Sequence, residues 1–129
     1  MGHAKKIPEY ARQHATAGPY SPVLEIECSK LVVISGQAAL DMDGRVIGQT
    51  IEKQAALTLD NCQHQLSMAD CTMADVFKVN VFLSDLSLWD RFNQVYMERM
   101  PEPRPVRTAV GTQLLSGFLV EIEMWAAKK

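Results

Sequence analysis

The sequence of 129 residues predicts an α+β fold in which two helices lie on one face of a mixed β-sheet. Three observations carry that expectation. Two stretches repeat apolar residues at steps of three and four, the helical period. Others are β-branched or alternate apolar and polar residues, the period of a strand. Taken in order along the chain, the stretches read β-β-β-α-β-α-β-β.

Each element has a local cause. Ile7 and the run from Val23 to Glu27 can supply edge strands. Leu31-Val32-Val33-Ile34-Ser35 is β-branched and bounded by Gly36, and Asp41-Met42-Asp43-Gly44 signals a turn. Ile51, Ala55, Leu59, Cys62, Leu66 and Ala69 then draw one apolar stripe at helical spacing, with Thr50 as its cap and Glu52 suited to the first turn. In the run from Val76 to Leu83, Phe77, Val79, Val81 and Leu83 are expected on one face, Lys78 and Asn80 on the other. Ser87-Leu88-Trp89-Asp90 reads as the capped start of a second helix whose buried side is Leu88, Phe92, Val95 and Tyr96. Pro101, Pro103 and Pro105 end it, because proline lacks an N–H and disfavours helix in the residue before it. Pro105-Val106-Arg107-Thr108 opens another strand. From Leu119 to Ala127, Val120, Ile122, Met124 and Ala126 face one way and Glu121, Glu123 and Trp125 the other. Helices on one face leave the other needing cover, which favours a homo-oligomer.

Composition bounds the function. Residues 1–129 form one domain, with 47% hydrophobic and 22% charged residues, an ordinary globular balance. A net charge of −2 offers no electrostatic footprint for nucleic acid. No apolar run approaches the length of a membrane span, and Met1-Gly2-His3-Ala4-Lys5-Lys6 lacks the apolar stretch of a secretory signal, so cytoplasm is the default. Cys28, Cys62 and Cys71 are odd in number and show no CxxC spacing, which argues against a disulfide framework and against zinc. Cys62 falls on the apolar side of its helix. His3, His14 and His64 are scattered, so no metal is expected.

Arg107 and Glu121 place one fixed cation and one carboxylate on two segments that both read as strands, and the arginine is the residue best suited to grip an anionic metabolite. Guanidinium is a planar fork of donors suited to a small carboxylate, a geometry lysine cannot offer. Six fragments in order then resemble one family over nearly the whole chain: Gly18-Pro19-Tyr20-Ser21, Val33-Ile34-Ser35-Gly36-Gln37, Val79-Asn80-Val81-Phe82-Leu83-Ser84-Asp85, Phe92-Asn93-Gln94-Val95-Tyr96, Pro105-Val106-Arg107-Thr108 and Val120-Glu121-Ile122-Glu123. The chain resembles the YjgF/YER057c/UK114, or Rid (reactive intermediate deaminase), family.

That resemblance implies a chorismate-mutase-like fold, a homotrimer with clefts between subunits, and hydrolysis of enamines and imines such as 2-iminobutanoate and 2-iminopropanoate to a 2-keto acid and ammonia. It implies no cofactor and no metal. Arg107 matches the arginine that binds substrate carboxylate, and Glu121 the glutamate that positions the hydrolytic water. Tyr20, Ser35 and Asn93 match polar residues lining the cleft, and Gly36 a backbone contact to ligand. Trp89, Phe92, Tyr96 and Trp125 read as packing or subunit contact. Ala109 stands where many members carry cysteine, which excludes a thiol nucleophile there; Pro22 replaces a residue commonly glutamine, and Gly111 to Gly117 lacks the usual Leu-Pro turn. A non-catalytic protein binding keto acids through the same arginine is the alternative. A nucleic-acid role, described for some members, is opposed by the acidic charge, and no membrane partner is expected.

Overall fold

The alternation of the last strand organises the molecule. The computed structural model describes residues 4–15 and 18–129; the opening Met1 to His3, and with it the His3 reading, lies outside them. The elements are β1 (Lys5–Lys6), β2 (Glu25–Ile26), β3 (Lys30–Gln37), α1 (Ile51–Ser67), β4 (Val76–Leu83), α2 (Trp89–Arg99), β5 (Val106–Gly111) and β6 (Val120–Lys128). The main sheet has the order β3-β6-β4-β5, antiparallel except where β5 runs parallel to β4. The expected order and mixed sheet therefore hold. β1 and β2 form a separate two-stranded ladder instead of edges to the main sheet. Its first strand is Lys5–Lys6, not Ile7, because the chain then meets Pro8, which has no N–H to continue a ladder.

Val120, Ile122, Met124 and Ala126 of β6 are fully buried, as their alternation required. Opposite them on β4 lie Val79, Val81 and Leu83, also fully buried. Phe77 departs from expectation. The register shifts between Val76 and Lys78, so a bulge turns Phe77 off the core face and Val76 fills the place. A second irregularity lies between Ile34 and Gln37, and β3 runs through Gly36 instead of stopping there.

Helix α1 lays Ile51, Ala55, Leu59, Cys62 and Leu66 on the sheet, while Ala69 falls beyond its end and is half-buried. The Thr50 side chain caps it by accepting from the Lys53 amide at 3.2 Å. Burial pushes the Cys62 thiol up to about 12, the behaviour of a small core hydrophobe. Two arginines of α2 hold it against α1: Arg91 donates twice to Glu52 at 2.7 and 2.6 Å, and Arg99 to Asp60 at 2.7 Å.

The start of α2 also differs from the expected cap. Asp85, two residues before Ser87, accepts from the Ser87 amide at 2.8 Å and caps a short 3₁₀ turn, Leu86–Leu88. Leu88 becomes the N-cap of α2, without a side-chain bond. Ser87 lies inside that turn and its side chain bonds the Asp85 carboxylate, so it does not cap α2. On the inner side Phe92 and Tyr96 are buried as expected, Leu88 and Val95 only half-buried, and Asn93 joins them at 7% exposure.

Candidate functional site

Arg107 lies opposite Val79, which lies opposite Met124, so its side chain shares the helix-covered face of the sheet. There it meets α2. Its Nη1 donates to Asn93 Oδ1 at 2.8 Å. The guanidinium carbon stands 4.8 Å from the ring centre of Tyr96, 5.2 Å from Trp89 and 5.6 Å from Tyr20. Gly18 closes over the group; a Cβ there would sit 2.5 Å from Nη2. Ser21 holds the Tyr20 segment in place through its amide, which donates to the Pro105 carbonyl at 3.2 Å, and its hydroxyl, which donates to the Arg104 carbonyl.

This cation is poorly compensated. Arg107 is 9% exposed, and its Nε and Nη2 are buried without a hydrogen-bond partner. Among the described residues no carboxylate stands within ion-pair distance of it. Burial pulls its pKa down, opposed by Tyr96 and Tyr20, but guanidinium remains protonated at any physiological pH. A buried charge held by one hydrogen bond and aromatic faces is an unsatisfied anion receptor. Residues that enclose it also line open hollows: Trp89 one of about 540 Å³ together with Ala109, and Gly18 and Asn93 one of about 360 Å³ together with Arg104.

Glu121 sits elsewhere. It lies opposite Phe82, out of phase with the core positions, and so projects from the other face of the sheet. It is half-buried, with its carboxylate against Gly36; a side chain at Gly36 would collide with Glu121 Oε2. Ser35 and Gly36, both exposed, stand at the irregular end of β3. The residues expected at one site thus form two groups: Tyr20, Asn93 and Arg107 beneath the helices, and Ser35, Gly36 and Glu121 on the open face. A single chain does not bring them together.

Residues 11–128 match the family model described as Endoribonuclease L-PSP. The chain belongs to the YjgF/YER057c/UK114 family. It is similar to "Protein mmf2, mitochondrial" of Schizosaccharomyces pombe, 34% identical over 127 residues that cover 95% of this chain and 98% of that one. The 2-iminobutanoate/2-iminopropanoate deaminase of Bos taurus is 30% identical over 126 residues, covering 96% and 90% of the two chains. Among solved structures, RidA from an Antarctic Psychrobacter matches with a TM-score of 0.72 at 32% identity, over 88% of this chain and 91% of that one. Within the YjgF/YER057c/UK114 family some relatives are named for the mitochondrion and others are not, so membership does not establish a cytoplasmic address. No helix among the described residues is long and apolar enough to cross a membrane.

The roles of Trp89 and Tyr96 beside the arginine go beyond the packing expected of them. A signal was present: Trp89, Asn93 and Tyr96 are spaced by four and three, so one helical face presents all three to β5.

Proposed function

We propose that this YjgF/YER057c/UK114 protein hydrolyses reactive 2-imino and 2-enamino acids, such as 2-iminobutanoate or 2-iminopropanoate, to a 2-keto acid and ammonia. The observation that carries the proposal is the buried Arg107 guanidinium with two N–H-bearing nitrogens unpartnered and, among the described residues, no carboxylate paired with it. An α-carboxylate is the anion such a fork suits, and in a sheltered site the charge-assisted bonds count most. The bovine relative, named for that activity, points the same way.

The chemistry then asks for little. Arg107 holds the substrate carboxylate, with Asn93 fixing the guanidinium and Tyr20 bounding the pocket. Water adds to the C=N carbon, the C–N bond breaks, and ammonia leaves. Glu121 would position and deprotonate that water and return a proton to the departing nitrogen. Because Glu121 projects from the opposite face of its own sheet, the Glu121 that serves a given Arg107 must come from another subunit, which gives the homotrimer its catalytic purpose. Ser35 and Gly36, next to Glu121, would contribute polar contacts from that same neighbouring subunit. The steps require no cofactor, and the cytoplasm is a suitable setting for them. A nucleic-acid substrate is disfavoured by the net charge of −2.

The test is direct. A threonine dehydratase generates 2-iminobutanoate, and release of 2-ketobutanoate is followed while semicarbazide traps free imine. Added protein should speed ketone release and reduce trapping, and Arg107→Ala should do neither. No acceleration by the wild-type protein, or full acceleration by Arg107→Ala, would overturn the proposal. Saturable keto-acid binding without turnover would leave only the binding function.

A further inference from the structure

Six buried side-chain polar atoms among the described residues have no hydrogen-bond partner, and five of them fall in one place. Arg107 Nε and Nη2, Asn93 Nδ2, Tyr96 Oη and Arg104 Nε surround the inner face of α2, with only Thr58 Oγ1 apart. Four of the five can only donate, and the phenol can donate as well. Orphan buried donors in this number call for acceptors, and beside two guanidiniums those acceptors are anionic.

Arg104 is the member that the carboxylate-anchor reading does not use. Three residues tie it to the Arg107 pocket. Gly18 leaves no room for a Cβ beside Arg107 Nη2 and lines the 360 Å³ hollow that Arg104 also lines. Asn93 accepts from Arg107 and lines that same hollow. Tyr20 stacks on Arg107 and shares a second hollow, about 240 Å³, with Arg104. Both guanidiniums also act on the Tyr96 hydroxyl, opposing the burial that drives its pKa up. Glu102 is Arg104's one ion-pair partner among the described residues, at 3.2 Å on a carboxylate whose side chain is 76% exposed. An exposed pair of that kind is weak and readily exchanged for a ligand. Asp90 also lines the 360 Å³ hollow; its carboxylate repels an anion beside it, which leaves Arg104 as the cation able to receive one there.

We propose that Arg104 is a specificity residue of the Arg107 pocket, and that the favoured substrates are imines of acidic amino acids, with a second carboxylate on the side chain. This rests on the imine-hydrolase reading and narrows it. The α-carboxylate takes Arg107 and the side-chain carboxylate takes Arg104. The overall change balances: an iminium carbon gains the oxygen of water, its C–N bond breaks, and the nitrogen leaves as ammonium. The reaction that supplies such a substrate is an oxidation of the C–N bond of a dicarboxylic amino acid.

Two measurements test it. In the first, 2-iminosuccinate is generated from L-aspartate by a flavin oxidase with catalase present, 2-iminobutanoate is generated as above, and kcat/KM is compared for wild type, Arg104→Gln and Arg104→Lys. Wild type should favour the dicarboxylic imine, Arg104→Gln should lose that preference by about tenfold or more, and Arg104→Lys should keep part of it. In the second, calorimetry compares 2-ketoglutarate with 2-ketobutanoate as ligands, which reads Arg104 even if no imine is turned over. Tighter binding of the dicarboxylate, lost in Arg104→Gln, supports the inference. A wild-type preference for the monocarboxylic compounds, or an equal fall on both in Arg104→Gln, overturns it and leaves imine hydrolysis standing. Absence of turnover on either imine removes the hydrolase reading, and with it the substrate claim.

Discussion

At Arg107 a cation has been taken from water with, among the described residues, one hydrogen bond and three ring faces as compensation. Such a group costs stability unless something anionic arrives, so its place in the fold is better explained by a ligand than by packing. Replacing it with methionine keeps the bulk and removes the charge. Arg107→Met should hold or raise the thermal unfolding temperature while imine hydrolysis falls by about a hundredfold or more. A melt well below wild type would mean the arginine serves the fold. Lys5 presents the same physics near the start of β4. It is 7% exposed, its Nζ donates to the Val76 carbonyl at 2.6 Å, and burial holds its pKa down at about 8 from 10.5, against the pull of Asp75. Between those two values the unfolded chain keeps a proton that the folded chain has released. The cost to stability is therefore full below pH 8 and disappears as the pH climbs to 10.5. Urea unfolding of wild type and Lys5→Met at pH 7 and pH 10 checks this: the variant's standing relative to wild type should worsen at the higher pH.

Elements were legible wherever a single period ran undisturbed. β6 follows its apolar spacing residue by residue, and both helices follow theirs except at the ends and at the half-buried Val95, because one face of each meets the core. What escaped was set by neighbours. The bulge at Phe77 exists only in the register of β4 against β6, and the cap of the turn before α2 is decided by which amide Asp85 reaches first. The buried Gln54 is a further case. An amide on an apolar stripe looks misplaced until its partners are known: its Nε2 donates to the Gly48 carbonyl at 3.0 Å and the Gly117 carbonyl at 2.9 Å, and its Oε1 accepts from the Leu119 amide at 2.9 Å. One side chain of α1 thereby fixes the loop before its own helix and the loop that leads into β6. Gln54→Ala should cost about 2–4 kcal/mol in urea unfolding, more than an alanine at an exposed position of the same helix, because a buried side chain and its three part-buried hydrogen bonds to backbone are lost together. The site was legible only by residue type. Arg107 stood out by its chemistry, but its aromatic surround and the division from Glu121 depend on which face of the sheet each strand position takes.

For the whole molecule, the uncovered face of the sheet is decisive. Leu31 and Val33 are 63% and 61% exposed there, Val33 lies opposite Trp125, and the Lys78 ammonium stands 5.6 Å from the Trp125 ring. An apolar sheet face of this kind suits a second copy of the chain, and the same face carries Glu121. Arg107 is beneath the helices on the opposite side, so the proposed chemistry needs one chain's arginine and another chain's glutamate. Subunit exchange tests this most directly. Arg107→Met and Glu121→Gln proteins, each inactive alone on 2-iminobutanoate, are mixed in equal amounts under conditions where exchange is verified by mass. About a quarter of wild-type activity should return, since each cleft draws its arginine and its glutamate independently from the two kinds of chain. No recovery after verified exchange, or substantial activity in either variant alone, would contradict a site shared between subunits.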